Sequence, residues 1–388
     1  MSANRKKQEG AVSLFIVIFS ALLITIITVG FVRLMIQDQM QATANDLSKS
    51  ALDSAQAGVE DAKRAILQYY KSACKSSDTG NNLCGAINSG KCDTIQKSGL
   101  FGYGSGDSEV QIKTNEDDTK LNQAYTCVKV IFNTPDYLAS LAPNDSRLIE
   151  LKGTGAFDTI VIQWYSRNDF ESSPDYSSGA SVNLSTDTNQ LPAQSQWPSL
   201  RPALMRLQLL QFNKNAGFSF GDFDKTNSNA SLFLMPYSLP SLPDLDFKAD
   251  SRVSGAVPQP VSCDGNFKFS GYACSATITL PNPKGGSSSD REAYLRVAGI
   301  YNLQNVTFRI CLGSACDGKV KFNGVQPEVD STGRAGDYFR RVKSRVEFVG
   351  KDLPDVNAAV DIGGNLCKVF EVGDSTYESN TTLCDPGA

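Results

Sequence analysis

The chain has 388 residues, of which 20% are charged and 41% hydrophobic, with a net charge of −4 and no histidine. No basic tail or cluster advertises nucleic-acid binding, and the lack of histidine removes the commonest general base and metal ligand at neutral pH. Ten cysteines, an even number, all lie beyond residue 70, which points to disulfides in an exported domain and away from cytosolic thiol chemistry.

Arg5, Lys6 and Lys7 precede a run from Ala11 to Val32 that carries no charge over 22 residues. As a helix it is about 33 Å long, enough to cross a bilayer. The basic flank predicts a cytoplasmic N-terminus and an extracytoplasmic remainder. From Leu47 onward, Leu47, Ala51, Ala55, Val59, Ala62, Ile66 and Tyr69 recur at steps of three or four and form one stripe of an amphipathic helix. No proline occurs before Pro135, and only Gly30 and Gly58 weaken the helix. Residues 11–36, a membrane or filament-core helix, and 37–70, its amphipathic continuation, are therefore predicted to be one element of about 90 Å.

The leader RKKQEG, followed directly by AVSLFIVIFSALLITIITVGFV and then by QATANDLSKSALDSAQAGVEDAKRAI, resembles a class III prepilin N-terminus. The resemblance is to the minor pilins of type IV pili and the large pseudopilins of type II secretion. It covers residues 5–70 and implies cleavage by prepilin peptidase between Gly10 and Ala11, with residues 1–10 as the leader. STGRAGDYFRRVKSRVEFVG at 331–350 is similar to the last sheet hairpins of some minor pilins. In this family the fifth residue of the mature chain is usually glutamate, thought to meet the N-terminal amine of the neighbouring subunit; here that position is Phe15. The family's apical pseudopilin also lacks this glutamate, so the resemblance implies a tip or initiating subunit, with a lateral position as the alternative. A signal anchor that never assembles shares the basic flank and span. So does a cleaved secretory signal ending near Ala42-Thr43-Ala44, although its apolar run is normally shorter.

Beyond Tyr70 the pattern predicts a β-rich ectodomain large enough to bury a substantial core. Residues 71–107, rich in Ser, Gly, Asn and Lys, read as a cysteine-stapled loop. Strands are predicted at 109–113, 124–132, 148–153, 159–164, 203–212, 231–235, 267–280, 293–301, 306–312, 338–349 and 368–372. Their regular spacing without intervening helices argues for antiparallel sheets. The polar, proline-punctuated stretch 166–202 reads as a long insertion that presents Tyr176 and Trp197 as a contact surface, or else as a tolerated surface loop. Prolines between 236 and 262 divide a first β-rich part, 71–235, from a second, 236–388, in one large sandwich or in two lobes. The predicted fold class is α+β: a long N-terminal transmembrane and amphipathic helix packed on a large, disulfide-stapled, sandwich-like antiparallel β domain.

The cysteines are Cys74, Cys84, Cys92, Cys127, Cys263, Cys274, Cys311, Cys316, Cys367 and Cys384. Local spacing suggests Cys84 with Cys92, Cys263 with Cys274, Cys311 with Cys316 and Cys367 with Cys384, leaving Cys74 for Cys127. A zinc site lacks histidine and a second tight cysteine pair. The basic run Arg340, Arg341, Lys343, Arg345 alternates like a solvated strand face, with anionic contact as its second reading. GYGSG at 102–106 reads as a turn. Asp222 and Asp224 offer oxygens at alternate positions, yet that segment lacks the central glycine and closing glutamate of a calcium loop. Asn144, Asn183, Asn229, Asn305 and Asn380 head glycosylation sequons.

No nucleophile elbow or phosphate-cradling loop is found, so the expectation is a non-enzymatic subunit without cofactor. The partners implied by the resemblance are other pilin subunits, prepilin peptidase, the inner-membrane assembly platform and the membrane, with a surface or DNA contact at the tip. A membrane-anchored extracellular binding protein and an anchored hydrolase are the competing readings.

Overall fold

The computed structural model describes residues 9–75, 77–80, 82–102, 108–112, 122–171, 174–176, 194–213, 215, 229–241, 243–247, 258–284 and 291–347, with side-chain environments from residue 13. A long apolar helix packs on a large, mostly antiparallel β domain held, among the described residues, by four disulfides. Helix α1 runs unbroken over Glu9–Lys71. It joins the predicted span and stripe into one element of about 95 Å.

The predicted stapled loop contains two short helices, α2 at Leu83–Ser89 and α3 at Thr94–Ser98. The Asn82 side chain accepts a hydrogen bond from the Gly85 N–H at 2.9 Å and starts α2, and left-handed Gly90 ends it. Seven residues are too few to show a helical period, which hid α2 among the polar residues around it.

Fourteen strands follow among the described residues: β1 Val110–Gln111, β2 Gln123–Thr134, β3 Tyr137–Leu141, β4 Ser146–Glu150, β5 Phe157–Ser166, β6 Leu204–Asn213, β7 Asn229–Tyr237, β8 Asp244–Asp246, β9 Gln259–Cys263, β10 Cys274–Lys284, β11 Arg291–Ile300, β12 Val306–Leu312, β13 Phe322–Ala335 and β14 Tyr338–Arg345. A four-stranded antiparallel sheet has the order β1-β2-β13-β14. A ten-stranded sheet has the order β3-β12-β5-β10-β9-β7-β6-β11-β4, with β8 beside β10. Its parallel pairs are β7 with β9 and β8 with β10. Both sheets draw strands from each side of residue 236. The predicted strand at 368–372 lies outside the described residues.

The edge strands of the large sheet, β3 and β4, are consecutive in the chain and joined by residues 142–145 alone. The sheet therefore curls until its edges are one turn apart, around a core that includes Trp164, Phe308, Phe247, Leu207 and Ile278. A second core lies between α1 and the small sheet and includes Val59, Ile66, Tyr69, Tyr125, Val130 and Val329.

The two sheets meet where β2 passes into β3 through Pro135 and Asp136. There the Gln326 side chain accepts from the Leu138 N–H at 3.0 Å and donates to the Leu138 carbonyl at 2.8 Å, imitating a strand. Arg345 reaches Asp136 at 3.0 Å and Glu328 at 3.2 Å, and the Tyr137 hydroxyl donates to Glu347. Charge-assisted bonds of this kind fix the two sheets against each other.

Candidate assembly surface

The two halves of α1 have opposite surroundings. Between Leu14 and Met40 the large apolar side chains face outward on every side, including Phe15 at 78%, Phe19 at 70% and Met35 at 69% exposure. By length and composition this half can cross a membrane. Gly10 and Ala11 lie in the first turns of the same helix.

The second half is seated. Ala51, Ala55, Ala62 and Ile66 are fully buried, with Val59 and Tyr69 nearly so, which is the predicted stripe except that Leu47 is half-buried. Small residues let the helix lie flat on the sheet. A Cβ on Gly333 of β13 would stand 2.2 Å from the Ala51 carbonyl oxygen and 2.2 Å from the Ala55 nitrogen. Gly333 follows a register shift in the β2–β13 ladder, so a bulge brings bare backbone up to the helix. From the helix side, a Cβ on Gly58 would meet Ser331 Oγ at 2.4 Å and Val128 Cγ2 at 2.8 Å. Polar ties surround this seat. The Tyr125 hydroxyl donates to Asp61 at 2.8 Å, Arg340 donates to Ser48 Oγ at 2.8 Å, Tyr69 donates to Asn88 at 2.9 Å, and Tyr70 donates to the Gly324 carbonyl. The seat glycine Gly333 and the joint residue Gln326 were not singled out from the sequence. A lone glycine inside a strand was the available signal for the first.

Arg341, Lys343 and Arg345 of the basic run form an ion-pair ladder, while Arg340 turns to Ser48 of the helix. Arg341 pairs with Asp330, Lys343 with Glu328 at 3.3 Å and Arg345 with Glu328 and Asp136. Arg341 holds the Asp330 carboxyl below the usual carboxylate range. With these charges met inside the sheet, the solvated-strand reading fits β14 better than an anion-binding patch.

Two expectations are corrected. Cys74 pairs with Cys84 and Cys92 with Cys127, in place of Cys84 with Cys92 and Cys74 with Cys127. The reason is local: α2 carries Cys84 back toward the end of α1, and Asp93 pairs with Val128 beside β2, which leaves Cys92 facing Cys127. Cys263–Cys274 and Cys311–Cys316 are formed as expected, and Cys367 and Cys384 lie outside the described residues. Asp78 lies near Cys74 and Cys84, but those sulfurs are bonded to each other and are not free as metal ligands.

Tyr176 and Trp197 are buried, contrary to their predicted exposure. Tyr176 donates to Asp169 at 2.5 Å, and Asp169 also accepts the Ser166 N–H, which closes a 3-10 turn at Arg167–Phe170. Burial pushes the Asp169 carboxyl up. Trp197 stacks on Tyr301 with ring centres 4.5 Å apart, beside the fully buried Arg201. Both ends of the 166–202 segment are thus part of the domain. Asp222, Asp224 and residues 103–106 lie outside the described residues.

Comparisons with protein-family models, with curated proteins and with solved structures give no match to this chain.

Proposed function

We propose that the chain is a minor subunit of a type IV pilus or a related filament, structural in role, at the tip or initiating position. Prepilin peptidase cuts after Gly10. The apolar half of α1 then leaves the bilayer and joins a bundle of like helices, which replaces lipid as its apolar surroundings. The β domain stays outside the membrane, where it is placed to touch a surface, DNA or another cell.

The observation that carries this reading is the uninterrupted passage of α1 from an all-round apolar half to a half fixed on a sheet. A tether needs only a span and a linker. A continuous helix transmits position from the bundle to the head. Phe15 supports the tip position, because a leading subunit has no neighbour ahead to neutralise a carboxylate there, and an unpaired carboxylate among apolar helices is costly.

N-terminal sequencing of the native protein from surface fibres tests the reading: Ala11 is the expected first residue. Gly10→Leu is expected to block cleavage and leave the full-length chain in the membrane. An uncut native chain absent from any fibre would support an anchored binding protein instead.

A further inference from the structure

Two charges interrupt the outer end of the apolar half: Arg33, which shares a face with Val29, Gly30, Ile36 and Gln37, and Asp38, which shares one with Leu34, Met35, Gln41 and Ala42. Both are exposed, and neither has an ion pair or hydrogen bond among the described residues. Five residues of α-helix separate them by about 7.5 Å along the axis and about 140° around it. They point to nearly opposite sides and cannot reach each other within one helix. Two parallel copies displaced by that rise bring Arg33 of one level with Asp38 of the other.

We propose that Arg33 and Asp38 form a head-to-tail joint between two copies of this chain, setting the stagger of their parallel helices at about five residues. The occupant is a second copy because the helix carries both halves of a complementary pair on opposite flanks, within the apolar surface that would pack in the bundle. Stacking that surface takes water from each charge, which is costly unless the partner is opposite. The leading copy of such a pair uses Arg33 and leaves Asp38 toward solvent. The trailing copy uses Asp38 and presents Arg33 to whatever follows. An initiating unit of two staggered copies results.

This inference rests on the filament reading, and its test uses two differently tagged full-length copies expressed together. After cross-linking in membranes, one tag is captured and the other measured. When both copies carry Arg33→Asp, or both carry Asp38→Arg, capture is expected to fall about tenfold or more, because like charges then face each other. Pairing an Arg33→Asp copy with an Asp38→Arg copy restores it to within about twofold of native, as a charge swap requires. Copies carrying Arg33→Lys and Asp38→Glu together keep capture near the native level, which shows that the signs matter and not the side-chain shapes. Native-level capture by either single variant, or no recovery in the mixed pair, overturns the proposal. Native copies that fail to capture each other while the chain is present in fibres overturn this joint alone. A native chain that is uncut and absent from fibres overturns the filament reading itself.

Discussion

The first and second halves of α1 share a backbone and differ in who completes them. The second half meets its partner inside the chain: alanines, Gly58 and Val59 lie on β2 and β13, and Gly333 removes the last side chain from the contact. The first half presents Leu, Ile, Val and Phe in all directions, and no described residue covers them. Small residues permit close approach to a partner whose position is already fixed, whereas large ones suit surroundings as variable as lipid or a bundle of neighbours. Composition along one helix therefore marks where intramolecular packing ends and external packing begins.

Removal of Cys92–Cys127, which ties the segment after α2 to β2 across 35 residues, should weaken the seated half most. Chain-entropy arguments put its contribution at about 4 kcal/mol, against about 2 kcal/mol for the five-residue Cys311–Cys316 closure. Serine pairs at each bridge, compared by urea unfolding of the β domain, should show the larger loss at the bridge beside the helix seat.

Gly333→Ala comes next. The added carbon would meet helix backbone on two sides, and backbone cannot rotate away, so the expected cost is about 3 kcal/mol. Gly58→Ala meets the buried side chains of Ser331, Val128 and Tyr125 and no backbone, and its gain in helix propensity of about 1 kcal/mol offsets part of that crowding. It should lie within about 1 kcal/mol of native stability. By contrast, Leu23→Asp in the first half is expected to leave the unfolding midpoint of the domain unchanged while weakening membrane retention, measured by fractionation.

This contrast also explains what was legible in the sequence. The apolar run and the three-four stripe are long, strongly periodic signals, so α1 was readable almost to the residue, with Leu47 the weak member. Strands such as β5 and β12 were readable from their β-branched and aromatic runs. β13 was visible only as half of the hairpin marked at 331–350, because Gly324, Pro327 and Gly333 disguise a strand of 14 residues. Those residues occupy its two register shifts, which are set by contacts with Phe132 and α1 that local sequence does not contain. The burial of Tyr176 and Trp197 was hidden for a similar reason. Their partners, Asp169 and Tyr301, are fixed by the ends of β5 and β11, and composition alone labels the whole stretch as loop. The seat on the small sheet was thus half readable: its helix side follows from periodicity, and its sheet side depends on a bulge.

The smallest expected effect separates the two sheets by pH. In the small sheet, Asp330 has its pKa lowered, first by the hydrogen bond from Arg341 and then by the charges of Arg341, Lys343 and Lys129, against some desolvation. A carboxylate with a depressed folded pKa stabilises the fold above its unfolded value, about 4, and that contribution is lost as pH falls through the folded value. In the turn that follows β5 of the large sheet, Asp169 is shifted the other way, because desolvation outweighs the bonds from Tyr176 and Ser166. Its relative stabilisation is present below the unfolded value and lost as pH rises through the folded one. Arg341 is largely exposed, so the Asp330 effect should stay below about 1 kcal/mol. Urea midpoints measured from pH 6 down to about pH 2.5 should fall less steeply for Asp330→Asn than for the native domain. Asp169→Asn should change the slope with the opposite sign. Parallel slopes for native and Asp330→Asn would mean that the ladder on the outer face of the helix-bearing sheet contributes geometry to the seat and no measurable charge energy.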